Sequence, residues 1–193
     1  MSGKCTVLVA LLLAAGGSAA LAQNANKALL DESRTAANQI VSQVRSELMK
    51  ELERTGPVRA ITVCKYSVPE ITSNISRQTG MRVTRVALRP RNRALGEPDV
   101  WEQRVLLDFE NRVAKGEKAD GLEYHEVVEE PAGRVFRYMK ALPMVQPCLL
   151  CHGPSNQISE GVRTLLATEY PSDKAVEYNL GQVRGAVSVK KAF

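Results

Sequence analysis

The chain has 193 residues, with 26 Lys and Arg against 21 Asp and Glu, two His, and a formal charge of +5 at neutral pH. The charges are interspersed apart from Arg89-Pro90-Arg91-Asn92-Arg93, which argues against nucleic acid and for at most an acidic protein surface as partner. No apolar run approaches the ~18 residues of a membrane span, so the composition describes a soluble chain of one domain.

Residues 1–22 read as a secretory signal peptide. Lys4 supplies a positive start, Val7 to Ala15 is unbroken apolar sequence, and Ala20-Leu21-Ala22 offers a cleavage site before Gln23. The apolar run is too short to cross a bilayer. The expected product is a periplasmic protein of residues 23–193. Losing the leader removes Cys5 and Lys4, which lowers the formal charge from +5 to +4. Cys64, Cys148 and Cys151 then remain in an oxidising compartment.

Asn24 to Thr55, within the opening 23–55 segment, reads as one long helix. Ala37, Ile40, Val44, Leu48 and Leu52 recur at three- and four-residue steps. That stripe packs on its own domain, or forms a homodimer seam. Gly56-Pro57 stops the helix, and Pro57 to Tyr66 is short and helical or irregular, carrying Cys64. A second helix covers Val68 to Thr79, with Pro69 in its first turn and Gly80 as its stop.

Met81 to Leu88 alternates as a strand, and Arg89 to Pro98 is a loop. Asp99 with Glu102 forms a capping box for a helix through about Ala114 that buries Trp101, Val105, Leu106 and Phe109. Leu122 to Glu129 and Arg134 to Leu142 make a hairpin about Pro131-Ala132-Gly133. Ile158 to Tyr170 is a helix and Gln182 to Lys190 a last strand. Helices around a small antiparallel sheet give an α+β fold.

Between the hairpin and the last helix lies Cys148-Leu149-Leu150-Cys151-His152, the c-type haem attachment spacing. The two thiols add across the vinyl groups of a haem, and the adjacent imidazole becomes the iron's proximal ligand. A redox dithiol would open a helix after a strand. Here Pro143 and Pro147 precede the motif and Gly153-Pro154 follow it, which places it in a loop. Zinc would want two further Cys or His at similar spacing, and none is present. One covalently bound haem c is the expected cofactor. An ordinary all-helical cytochrome would carry its motif near the N-terminus and a Met ligand downstream, and no Met follows this motif.

The sixth ligand is open at this level: Cys64, His125, Met81, Met139, Met144 or an open or water-bound site all compete. Cys64 stands out as the unpaired thiol, and as thiolate would favour ferric iron. Its bland reading is a buried inert thiol. A lone strand histidine such as His125 is more often a surface residue, and methionine more often fills gaps in a core. Arg89, Arg91 and Arg93 either hold the haem propionates by charge-assisted bonds or form a solvated basic loop.

The sequence resembles the single-haem, PAS-like c-type haem-binding domain of exported bacterial proteins and of some sensor-kinase periplasmic regions. The matching pieces are Val63-Cys64, Arg91-Asn92 leading to Pro98-Asp99-Val100-Trp101-Glu102, Pro147 through Gly153, and Tyr170-Pro171 through Tyr178 to Gly181–Val189. The resemblance implies a PAS-like antiparallel sheet with a long N-terminal helix. It also implies His152 and Cys64 as axial ligands, carried over from the cyanobacterial member. Kinase and transmembrane segments are absent from this sequence, so signalling across a membrane would need a partner protein.

Three functions follow. The first is electron transfer or redox sensing with an undefined redox partner protein. The second is sensing of a diatomic gas (NO, CO or O2) that displaces the sixth ligand. The third is a haem enzyme with an open iron, peroxidase-like or acting on nitrogen oxides, for which no acid–base motif is visible.

Overall fold

The computed structural model describes the backbone from Ala14 and the side chains from Gln23 to Phe193. The expected signal peptide therefore lies outside the described residues, save for its backbone from Ala14 onward. Helix α1 (Ala14–Thr55) is continuous. Its Ala36, Ala37 and Ile40 are buried against Ile75, Phe136, Tyr138, Val187 and Val189. Two alanines side by side let the helix approach the sheet closely, and burying an Ile contributes about 1.5–3 kcal/mol. Arg34 adds an ion pair with Glu123, whose carboxylate also accepts the Tyr138 hydroxyl at 3.0 Å. The first half of the apolar stripe thus packs on its own domain. Val44, Leu48 and Leu52, further along, are only half-buried.

Helix α2 (Pro57–Thr62) begins with proline, whose missing N–H costs nothing there. It runs into a π-helical turn, Val63–Ser67, and then into α3 (Val68–Thr79). Gly80 ends α3 in the left-handed conformation at φ 62°. Strand β1 (Arg82–Val86) follows, then a helical turn, α4 (Arg93–Gly96). Helix α5 (Val100–Ala114) opens on the expected capping box, Glu102 N donating to Asp99 Oδ1 at 2.9 Å and Asp99 N to Glu102 Oε2 at 2.8 Å. Strands β2 (Glu123–Glu130) and β3 (Gly133–Pro143) form the hairpin, with Glu130 opposite Gly133. The chain closes with α6 (Leu149–His152), α7 (Glu160–Glu169) and β4 (Val183–Ala192).

The four strands form one antiparallel sheet in the order β1-β4-β3-β2. Helices α1 and α3 cover one face and α5 the other, where Val105, Leu106 and Phe109 meet Met139, Ala141 and Ala186. Arg137 pins α5 to the sheet through Asp99 at 2.6 Å and lies 4.3 Å over the Trp101 ring. Among the described residues no helix is long and apolar enough to cross a membrane. The α+β expectation, a small antiparallel sheet flanked by helices and a long N-terminal helix, holds.

Three local expectations change. The Cys-x-x-Cys-His stretch is not a loop: residues Gln146–Cys148 form a 3-10 turn that passes directly into α6. The flanking Pro147 and Gly153 bound a short helix rather than prevent one. Trp101 is half-buried, because its ring spreads over Arg137 and its indole N–H donates to Glu126 at 2.5 Å. Strand β1 stops at Val86, since the Ala87 N–H turns away to the Gly96 carbonyl at 3.1 Å.

The pairing of β3 with β4 shifts where Leu142 faces Gly185 but Pro143 faces Val183, which leaves Arg184 as the bulged residue. Bulges beside functional sites re-aim a side chain. Only glycine fits at 185: φ is 157° there, and a Cβ would sit 2.4 Å from the Val86 carbonyl oxygen. Backbone approach at Gly185 is therefore what turns Arg184 toward His152.

Candidate functional site

Helical spacing brings the residues of the Cys-x-x-Cys-His motif together. Cys148 and Cys151 are three apart and His152 is four from Cys148, so all three project from one side of a single turn. Gly153 ends that turn with its N–H on the Leu149 carbonyl at 3.0 Å, and a Cβ there would lie 2.7 Å from the same oxygen. The turn is docked on Met144, Ala175 and Tyr178, which are buried and pack against Cys148 and Leu149.

His152 is oriented from behind. Its Nδ1 lies 2.6 Å from the Ala175 carbonyl oxygen, while Arg184 Nε lies 3.3 Å from the same nitrogen. A carbonyl can only accept, so Nδ1 carries the proton and the Arg184 contact is not a hydrogen bond in that tautomer. Nε2 is left with its lone pair free, the arrangement by which proteins prepare a metal-binding imidazole. Burial, reinforced by the Arg184 and Arg91 cations, holds the His152 pKa well below its ordinary value. The ring is neutral at physiological pH. Burial also raises the Cys148 thiol and pushes Cys151 up to about 11.

Arg91 ties this assembly to the rest of the domain. Its Nε donates to Asp173 at 2.8 Å, and its Nη2 to the Cys151 carbonyl at 2.5 Å and the Ala175 carbonyl at 3.3 Å. Asp173 Oδ1 in turn accepts the Ala175 N–H at 2.7 Å. The pair is largely shielded, with side-chain exposures of 7% and 12%. Removing one partner of a buried pair leaves an uncompensated charge, at a cost of roughly 3–5 kcal/mol. Arg91→Met therefore lowers the unfolding free energy from denaturant titration by that amount, roughly 3–5 kcal/mol, whereas Arg93→Met, at an exposed pair with Glu97, leaves it within about 0.5 kcal/mol.

Across from the motif stands Cys64. Ile61 packs with Ile158, Val162, Leu166 and Tyr170, a cluster that Cys151 also touches, so the contact of α2 with α7 carries the following turn toward the motif. The π turn sets the direction of Cys64, and such single turns are frequent at functional positions. Cys64, Cys148 and Cys151 are all free thiols. Together with His152 they line one cavity of about 800 Å³. Val44, Leu48, Met49 and Leu52 of α1 form its apolar wall, which accounts for the half-buried second part of the stripe. That volume falls within the ~300–1,000 Å³ of cofactor pockets. Among the described residues no group of three or more His, Cys, Asp and Glu gathers around a bare ion.

The other candidates separate. Met144 is buried and lines the cavity beside Cys148. Met81 and Met139 are buried in the cores on opposite faces of the sheet. His125 is exposed on β2, its ring 6.0 Å from that of Phe136, and lines neither that cavity nor the smaller one beside it. Arg89 lies 3.8 Å over the Tyr178 ring and donates to the Val176 carbonyl at 3.0 Å. Arg93 pairs with Glu97 at the surface. Of the three loop arginines only Arg91 reaches the cavity. Sequence reasoning missed Arg85 and Arg184, which line it too. An arginine in a strand that otherwise alternates is the one signal that pointed to Arg85.

A family profile described as Tll0287-like matches residues 22–191. The chain belongs to the Tll0287-like family. Its fold is similar to the crystal structure of the cyanobacterial haem protein Tll0287, with a TM-score of 0.65 and 22% identity over 84% of this chain and 93% of that one. A search of curated proteins finds no match.

Proposed function

We propose that this member of the Tll0287-like family is an exported, periplasmic monohaem c-type cytochrome that works in electron transfer or redox sensing. One observation carries the reading: Cys148, Cys151, His152 and the sequence-distant Cys64 line a single apolar cavity of cofactor size. The donor set suits a haem. Two thiols on one helical face are spaced for its two vinyl groups, and a neutral imidazole presents a free Nε2. A bound haem iron would supply one-electron chemistry between ferric and ferrous states. His152, held by Ala175, would serve as the proximal ligand, and Cys64 as the distal one. The α1 wall would exclude water from the porphyrin face.

A second reading, sensing of a diatomic gas, draws on the π turn. Cys64 is carried by a single wide turn rather than regular helix, so its withdrawal would disturb few backbone bonds. Carbon monoxide separates the two readings. On the dithionite-reduced protein, a Soret band unmoved by carbon monoxide means that both axial positions stay filled, as an electron carrier or redox sensor requires. A shift at low gas concentration would replace that reading with gas sensing.

A further inference from the structure

Beside the large cavity lies a smaller one of about 320 Å³. The two share Cys64, Arg85, Arg91, Leu142, His152 and Arg184, whereas Cys148 and Cys151 line only the larger. We propose, resting on the haem reading above, that the smaller cavity is the carboxylate end of the same site. Arg85 and Arg184 hold the two propionates there.

The chemistry of a porphyrin gives the direction. Its vinyl groups, which the two cysteines would take, and its propionates lie on opposite edges. With the attachment thiols at one end and both proposed axial residues in the shared wall, the carboxylates belong at the other end. That end is built for anions. Thr72, Ser73, Thr84 and Asn92 contribute polar groups to its wall, and no Asp or Glu lines it.

Of its four cations, Lys65 is paired with Glu169 and Arg91 with Asp173. Arg85, which lines both cavities, has no hydrogen-bond or ion-pair partner among the described residues. Arg184 spends Nη1 on the Arg89 carbonyl at 3.4 Å and leaves Nη2 without a partner. Both guanidinium groups are half-buried in the cavity wall without a counter-charge, and a pair of carboxylates would supply one to each through charge-assisted hydrogen bonds. Their placement is deliberate in the fold. Arg85 projects from edge strand β1 on the face it shares with Val83, and the Arg184-Gly185 bulge sets the second arginine in the same wall. Arg89 and Arg93 line neither cavity.

Resonance Raman spectra of the ferric holoprotein test this through the propionate-bending vibrations. Arg85→Gln and Arg184→Gln each shift those bands, and Arg93→Gln does not. Arg85→Lys, which keeps the charge without the planar fork, gives an intermediate shift and serves should the Gln variant fail to fold. Propionate bands that stay fixed in every variant overturn the proposal. So do wild-type bands that are unchanged while added inorganic phosphate or nitrite binds in an Arg85-dependent manner, since the cavity would then take a free anion. Purified protein with no Soret band at all would instead defeat the haem reading itself.

Discussion

Cys148→Ser combined with Cys151→Ser abolishes covalent retention of the haem. Extracted with acidified organic solvent, the double variant gives up all of its porphyrin and the wild-type chain gives up none. The reason lies in the bond chemistry: a serine hydroxyl does not form the thioether, while its size and helix propensity hardly disturb the turn around α6. Each single variant keeps one thioether and remains coloured after extraction, with a visible spectrum displaced by the surviving vinyl group. The observation behind this is the common face of Cys148 and Cys151, both free and both lining the large cavity. Porphyrin released quantitatively from the wild-type chain would show that the two thiols are not used.

Cys64→Ala gives the second large effect. The haem stays attached, but the ferric protein passes from a low-spin to a high-spin spectrum and its reduction potential rises. A thiolate donates charge to ferric iron and stabilises it over ferrous, so its loss favours the reduced state. In magnitude, a tenfold change in relative ligand binding between the two oxidation states corresponds to 59 mV for a one-electron couple, and loss of a thiolate exceeds that. Cys64→Met, which keeps a sulfur donor without the charge, separates ligation from charge by restoring a low-spin spectrum at the higher potential. An unchanged ferric spectrum in Cys64→Ala would remove Cys64 from the coordination sphere.

Much of the fold was readable because its signals are local. The Asp99–Glu102 box, the hairpin turn and Gly80 at the end of α3 each act within a few residues. The box and the stop stand where the sequence placed them, and the turn expected at Pro131-Ala132-Gly133 tightens to Pro131-Ala132 with Gly133 opening β3. The attachment motif was legible for the same reason. Its helical form was not, since proline and glycine punctuate short helices and loops alike. Bringing Cys64 to the motif depends on the contact between α2 and α7, which no local pattern announces. Counting thiols singled out Cys64 as unpaired, and the family resemblance, rather than spacing, implied its place as a ligand.

The arginines show the limit more sharply. The basic run around Arg91 drew attention to three side chains, of which one braces the site and two face Tyr178 and the surface. Arg85 and Arg184 lie in strands, outside any basic run that would single them out. Their importance comes from the sheet register and from a bulge that exists because Gly185 packs against the Val86 carbonyl. Charge density along the sequence is a poor guide to charge in a cavity, because the clustered Arg89, Arg91 and Arg93 find partners outside it or bracing it, whereas strand register carries Arg85 and Arg184 into its wall.

The most direct test of the account is the intact mass of the exported protein under denaturing conditions. The prediction is a polypeptide beginning at Gln23 whose mass exceeds that of its residues by one haem. A polypeptide of bare residue mass, isolated from cells able to assemble c-type cytochromes, would contradict it.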